Sequence, residues 1–420
     1  MTPQIKQRIE QIRRGEVPEG YTRAGQTIIP DGWERSTFAE LGVIASGLVD
    51  PKYEPYLHMQ HIGPENIEKD TGRILNTCSA NELGLISGKF YFDSESIVYS
   101  KIRPNLNKVC APSFEGICSA DCYSIKPRSV IRKHYLQYLM LSYDFYKRAV
   151  ACSMRTGMPK INQDDLNCIP MCYPLSIQEQ MRIEKILLTQ SRLISLKEKL
   201  IEEKKRQKKA LMQQLLTGKK RLPGFGGEWS SVPFKECIIE VDDRSTESNQ
   251  HPILSVTKDG IVYQADHFNK QIASDNNIGY KIIKRNQLAF SILNLWMGSV
   301  DVLTLCDVGI VSPAYKVFEC VEKNLIPSFA KYFLRSYNVI WLYNINSETG
   351  ASVVRKNLDL AALLNEKLEI PPIDEQGAIA KVLSTADAEI ELLQKDLNQE
   401  KQKKKALMQL LLTGIVRVTN

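Results

Sequence analysis

The peptide Lys208-Lys209-Ala210-Leu211-Met212-Gln213-Gln214-Leu215-Leu216-Thr217-Gly218 returns 196 residues later as Lys404-Lys405-Ala406-Leu407-Met408-Gln409-Leu410-Leu411-Leu412-Thr413-Gly414, with a single change, Gln214 against Leu410. The same offset relates Trp33 to Trp229, Gln180 to Gln376, Ile183 to Ile379 and Leu187 to Leu383. A constant offset over so much chain means two copies of one structural unit. The copies are unequal. The tails match closely, and the parts before them match only at scattered points. One frame is therefore expected to carry two different surfaces.

The tails carry a helical signal. Steps of four and three from Ile183 give Ile183, Leu187, Gln190, Ile194, Lys197, Ile201, Lys204, Lys208, Leu211 and Leu215. The second copy gives Ile379, Leu383, Ala386, Ile390, Leu393, Leu397, Glu400, Lys404, Leu407 and Leu411. An apolar period of 3.5 residues is the seam of a coiled coil, whereas a helix lying on a broad core follows 3.6. Pro174 and Pro371-Pro372 mark the starts, and Gly218 and Gly414 the stops, since glycine takes the left-handed cap conformation at low cost. Each helix should run about 42 residues, or roughly 60 Å. The two seams are expected to pair with each other in antiparallel fashion; docking of the stripes on other subunits is the alternative.

The expected organisation is a first domain at 1–175 with a short N-terminal helix around Ile5–Ile12, a first long helix at 176–218, a second domain at 219–371 and a second long helix at 372–414. Both domains read as mixed α/β (α+β). Strand-like Phe90–Phe92 and Ser96–Ser100 precede a helix at His134–Leu141, and Gln287–Leu293 precedes Pro327–Leu334 in the same order. Gly116–Ser119 matches Gly309–Ser312, and Thr156-Gly157 matches Thr349-Gly350. The N-terminal helix stands before Trp33 as the end of the first long helix stands before Trp229, which makes the repeat close to circular.

Composition bounds the function classes. The chain of 420 residues is 43% hydrophobic and 25% charged, as a globular protein of two or more domains should be. It has no apolar run long enough to span a membrane, and Met1–Arg8 lacks the apolar stretch of a signal peptide, so a cytoplasmic location is expected. The ten cysteines include Cys118/Cys122 and Cys168/Cys172, but the five histidines are scattered, so buried free thiols are expected in place of a zinc site. Net charge is +7, concentrated centrally: residues 176–221 hold 13 Lys/Arg against 5 Asp/Glu, and residues 372–420 hold 7 against 7. That basic helix could face phosphate or simply water.

Catalytic signatures are missing. Thr217-Gly218-Lys219-Lys220 lacks the first glycine and the hydroxyl of a phosphate loop, and no nucleophile elbow or paired metal-binding histidines occur. Asp164-Asp165 and Asp242-Asp243 have no partner histidine. Neither a catalytic residue nor a metal ligand is assigned. Basic and amide side chains in turn-like segments point to nucleic acid instead: His61, Lys101, Arg103, Asn105, Asn107 and Lys108 in the first domain, and Thr257, Lys258, Asn294, Arg355 and Lys356 in the second. Arg and Lys can reach guanine O6 and N7, Asn can pair with adenine, and all can hold phosphates. Trp296 could stack or wedge at a base, although a core position is the simpler expectation.

Two unlike α/β domains, each followed by a long helix ending in Lys-Lys-Ala-Leu-Met-Gln-x-Leu-Leu-Thr-Gly, resemble the specificity subunit of type I restriction-modification systems. The helix approaches Ile177-Gln178-Glu179-Gln180 and Pro371-Pro372-Ile373-Asp374-Glu375-Gln376 fit that family, as does Ile29-Pro30-Asp31-Gly32-Trp33. The resemblance covers nearly the whole chain and rests on frame motifs. It implies that each domain reads one half of a split, asymmetric site in double-stranded DNA, with the paired helices setting the unread spacer. It also implies that catalysis lies elsewhere, in two S-adenosylmethionine-dependent adenine methyltransferase subunits and in restriction subunits using ATP and Mg2+. This chain itself would bind no cofactor. The rivals are the specificity part of another multisubunit methyltransferase or nuclease, and a coiled-coil adaptor that joins proteins without reading DNA.

Overall fold

The computed structural model describes residues 2–153, 159–267, 276–349 and 356–418. Two long helices, Ile177–Leu215 and Ile373–Leu412, follow the two α/β parts. The chain divides into two compact units: unit 1 is Met1–Lys197 with Asp396–Asn420, and unit 2 is Glu198–Lys395. Each long helix thus gives its first part to one unit and its last part to the other.

All twenty seam positions are buried or half-buried, and none is exposed. The apolar ones enter the cores. Ile183, Leu187, Leu411 and Leu412 join the core of unit 1, with Leu407 packed against it, whereas Leu215, Leu216, Ile379 and Leu383 join that of unit 2, with Leu211 packed against it. Ile201 and Leu397 are buried as well, and Ile194 and Ile390 are half-buried. Polar seam residues pair across the helices, except Lys404, which lies over the Tyr138 ring. In unit 1 Gln190 Nε2 donates to Glu400 Oε2 at 2.6 Å, and Lys197 bridges Asp396 and Glu400. In unit 2 Lys204 meets Glu389 and Lys208 meets Asp387. Partner numbers fall as the first helix ascends, so the pairing is antiparallel within each unit.

The helix stops are built as the glycines suggest. Gly218 has φ +69° and Gly414 φ +70°. Beyond them, Lys220 N–H donates to Gln214 C=O and Val416 N–H to Leu410 C=O, satisfying carbonyls left over at each helix end.

Both units are built on the same four-stranded antiparallel sheet. In unit 1 its order is Gly42–Ile44, Cys122–Pro127, Ile97–Ser100, Val109–Cys110; in unit 2 it is Ile238–Val241, Tyr315–Cys320, Leu288–Ser291, Val300–Val302. A two-stranded ribbon closes each unit beside its long helix: Trp33–Thr37 with Pro170–Pro174, and Ser230–Pro233 with Lys367–Ile370. Helices Lys133–Leu141 and Pro327–Phe333 occupy matching places in the order of elements. Gly116 and Gly309 serve close strand approaches: an added Cβ would lie 2.5 Å from the Gln60 carbonyl oxygen in one case and 2.3 Å from Leu254 Cδ1 in the other. The second layers have diverged. Unit 1 has a three-stranded sheet, Gln60–Ile62, Gly116–Cys118, Phe90–Phe92, where unit 2 has hairpin Leu254–Thr257/Gly260–Tyr263 and the pair Lys281–Lys284/Val308–Val311.

Two frame contacts recur atom for atom. The Gln180 side chain, fully buried, accepts from Arg132 N–H and donates to the Val130 and Pro174 carbonyls. Gln376 does the same with Ile326 N–H and the Asn324 and Pro371 carbonyls. Arg221 binds the buried Glu375 carboxylate through two nitrogens, and Arg417 binds Glu179 likewise at 2.7 and 2.8 Å. This second pair corrects one expectation. The end of the first long helix packs Gly218 against Trp229; its counterpart against Trp33 is Gly414, at the end of the second long helix, and not the N-terminal helix. The N-terminal helix Pro3–Arg13 is an addition outside this frame, tied to the same tail by Arg8 donating to Ile415 C=O. Such a return over some 380 residues leaves no local trace in sequence.

All ten cysteines are free; Cys110, Cys118, Cys122 and Cys237 are buried, while Cys78 and Cys168 are exposed. Among the described residues, no helix is long and apolar enough to cross a membrane.

Candidate nucleic-acid interface

In unit 1 the strand Ile97–Ser100 runs into a short 3-10 turn, Pro104–Leu106, flanked by Arg103 at φ +48° and Asn107 at φ +46°. Left-handed backbone at a non-glycine residue costs about 1 kcal/mol or more, and such strain concentrates at working loops. Hydrogen bonds hold the turn in place. Arg103 N–H donates to Pro159 C=O at 2.7 Å and Ile161 N–H to Lys101 C=O at 3.0 Å. The turn leaves Arg103 and Asn105 exposed.

Lys101 is half-buried, its ammonium 5.2 Å from the Tyr123 ring centre and 6.0 Å from that of Phe90. Burial, followed by the charge of Lys160, lowers its pKa, with Asp121 acting in the opposite direction. Lys101, Arg103 and Lys160 therefore gather positive charge at one edge of unit 1. Lys160 was not singled out from the sequence, though it stands just ahead of the helix-capping Asn162 much as Lys356 stands ahead of the capping Asp359.

The remaining unit 1 candidates are placed differently. Lys108 is half-buried and donates to Pro64 C=O. Asn107 is buried, and its amide donates to Leu141 C=O at 3.2 Å. His61 is 5% exposed in a strand paired on Gly116–Cys118, and neither ring nitrogen has a hydrogen-bond partner among the described residues. Burial depresses its pKa, which keeps the ring neutral. As folded, Asn107 and His61 face protein and not solvent.

Unit 2 puts a different turn after the matching strand. Leu288–Ser291 leads through Asn294 into the 3-10 turn Leu295–Met297, closed by Gly298 at φ +84°. The Lys356 ammonium lies 5.1 Å over the Trp296 ring and donates to Asn344 Oδ1. Asn294 and Lys356, far apart in sequence, thus flank one tryptophan. The other two candidates sit on a hairpin: Thr257 Oγ1 donates to Gly260 C=O inside it, and Lys258 is exposed at its tip. Lys258 C=O accepts from Arg335 Nη2. Asp301, buried and raised in pKa by burial, accepts from Ile261 and Val302 N–H while Arg335 and Lys331 act on it electrostatically. Lys331, on a helix that reads as core, and Arg335, in the turn after it, were not singled out from the sequence. Arg355 lies outside the described residues, as do Thr156-Gly157 and Gly350.

Asp242 and Asp243 are engaged by cations: Asp242 by Lys281 and Arg244, and Asp243 by Lys284. Unit 1 offers exposed Arg103 and Asn105 on a short braced turn, and unit 2 an exposed Lys258 at a hairpin tip with Asn294 and Lys356 half-buried, groups suited to phosphate oxygens and base edges.

Duplicated α/β units on antiparallel helices, each with basic turns, define a class of two-part frame proteins. The chain belongs to the type I restriction modification DNA specificity domain family, whose profile matches residues 30–206 and 262–402. It is 38% identical over 172 residues to the type I restriction enzyme EcoDI specificity subunit of Escherichia coli. That match covers 41% of this chain and 36% of the relative, so the chain spans about a third of that protein's length. It is 25% identical over 336 residues to the MjaVIII specificity subunit of Methanocaldococcus jannaschii, covering 73% of this chain and 76% of the relative. Two solved structures share the fold. One is a chain from work on the assembly and conformational transition of a type I R-M system, with TM-score 0.61, 17% identity, and 92% of this chain and 99% of that one covered. The other is the type I restriction-modification S subunit of M. genitalium, with TM-score 0.53, 12% identity, and coverage of 90% and 96%.

Proposed function

We propose that this chain is the DNA-reading component of a type I restriction-modification complex and is not catalytic alone. Unit 1 would read one half of a bipartite, asymmetric site and unit 2 the other, the long helices setting the spacer. Two methyltransferase subunits would methylate adenines within the halves, using S-adenosylmethionine. Restriction subunits would supply ATP- and Mg2+-dependent cleavage, in the cytoplasm. The observation that carries the reading is the contrast within the repeat: sheet order, ribbon, Gln180/Gln376 and Arg417/Arg221 are kept, while the turns that expose Arg103 and Asn105 in one unit expose Met297 beside Asn294 in the other. A duplicated protein-joining adaptor has no need to keep its frame contacts while varying its braced turns.

Mapping N6-methyladenine across a genome that carries the system tests this. The expected result is one motif of two unlike halves with a fixed gap, vanishing when this chain is deleted. A contiguous motif, or methylation unaffected by the deletion, would overturn it.

A further inference from the structure

The matching turns of the two units differ in chemistry. Pro104–Leu106 presents polar Arg103 and Asn105, whereas Leu295–Met297 presents Met297, 39% exposed, at the tip of a turn whose other members lean inward. Leu295 is fully buried in the core of unit 2 and anchors the turn. Trp296 is half-buried, with its indole nitrogen buried and without a partner among the described residues, and Lys356 lies over its face. Gly298 turns the chain back against Ile340, whose Cδ1 would be 3.1 Å from an added Cβ. The result is a braced apolar tip on a rigid aromatic base. Cations act close by: Lys356 on the tryptophan, and Arg335 and Lys331 on Asp301, which follows three residues after Gly298.

We propose that this turn is a wedge: Met297, backed by Trp296, inserts between stacked base pairs of the half-site read by unit 2, and Lys356 holds the adjacent phosphate. The inference rests on the DNA-reading function above and deepens it. Apolar side chains inserted at a base step unstack it and kink the duplex, so the step is selected by how readily it deforms and not by hydrogen bonds alone. The matching turn of unit 1, Pro104–Leu106, has no such tip. Specificity at one half-site then includes a deformability component that the other lacks.

The test uses the full chain in its native complex. Binding is measured on intact target duplex and on a tiled set of duplexes, each with one mismatched step in the unit 2 half-site. Met297→Ala is expected to weaken binding to intact duplex about tenfold, and a mismatch at one step should restore most of that loss, because the step is already unstacked. Met297→Leu should behave as wild type on every duplex. An equal loss on intact and mismatched DNA, or no loss at all, overturns the wedge while leaving sequence-selective binding intact. A wild-type complex that prefers no duplex overturns the DNA reading itself.

Discussion

At the scale of single residues, position decides what a polar side chain can do. Arg103 is exposed on a strained, doubly braced turn, and the positive charge of Lys160 acts on Lys101 beside it. Arg103→Ala should lower affinity for target DNA about five- to tenfold and reduce the slope of log K against log salt by about one unit, as loss of a single phosphate contact would. An unchanged slope with relaxed specificity would make Arg103 a base contact instead. His61 makes a different statement. Its folded pKa lies below the unfolded value of 6.5, so under mildly acidic conditions the unfolded chain binds a proton that the folded one does not. Its contribution to stability is therefore fully present above pH 6.5 and declines as pH falls through that value, by at most about 1.4 kcal/mol per pH unit. Melting curves from pH 7.5 to 5 should show this acid sensitivity in the wild type and less of it in His61→Leu. Equal sensitivity in both would mean that the burial of His61 does not govern it.

Elements show how much was legible beforehand. The helices and their stops follow from local signals, a 3.5-residue seam and terminal glycines that take φ near +70°, whereas their antiparallel pairing was expected from the domain that lies between them. Lys204 and Lys208 look like breaks in the seam, yet they face Glu389 and Asp387, so the seam changes from apolar to ionic without ending. Burial at the candidate site was less legible. Asn107 and His61 share the residue types of a DNA contact but are buried, and Lys160, Lys331 and Arg335 were passed over, because burial and clustering depend on tertiary placement. Two predictions belong here. Arg417→Ala leaves Glu179, 3% exposed, without its guanidinium and should destabilise unit 1 by about 3 kcal/mol; denaturation of the full chain would measure it, and a change below 1 kcal/mol would refute it. Inserting one heptad between Lys197 and Ile201, with another facing it between Leu393 and Asp396, adds about 10 Å of helix. If the helices set the spacer, the methylated motif should gain roughly 3 bp between unchanged halves. An unchanged gap would show that they do not.

Across the whole molecule, the frame contacts repeat while the turns vary, which is why repeats exposed the architecture and hid the target. Each unit owns its core: Phe38, Tyr99 and Tyr135 in one, Phe234, Phe290 and Phe329 in the other. Replacing residues 30–175 with those of a relative should change one half of the methylated motif and preserve the other. A change in both halves would contradict independent reading.

Completion of unit 1 waits on the tail at Leu411–Val418: Gly414 packs on Trp33, Tyr21 Oη donates to Gly414 C=O at 2.8 Å, and Arg417 neutralises Glu179. During synthesis the ribosome delivers those residues some two hundred codons after Lys197, a delay on the order of 10–40 s at ~5–20 residues per second. Until then the nascent first half sits with an apolar gap where the tail will lie. A product truncated before Leu411 would lack the segment that closes it.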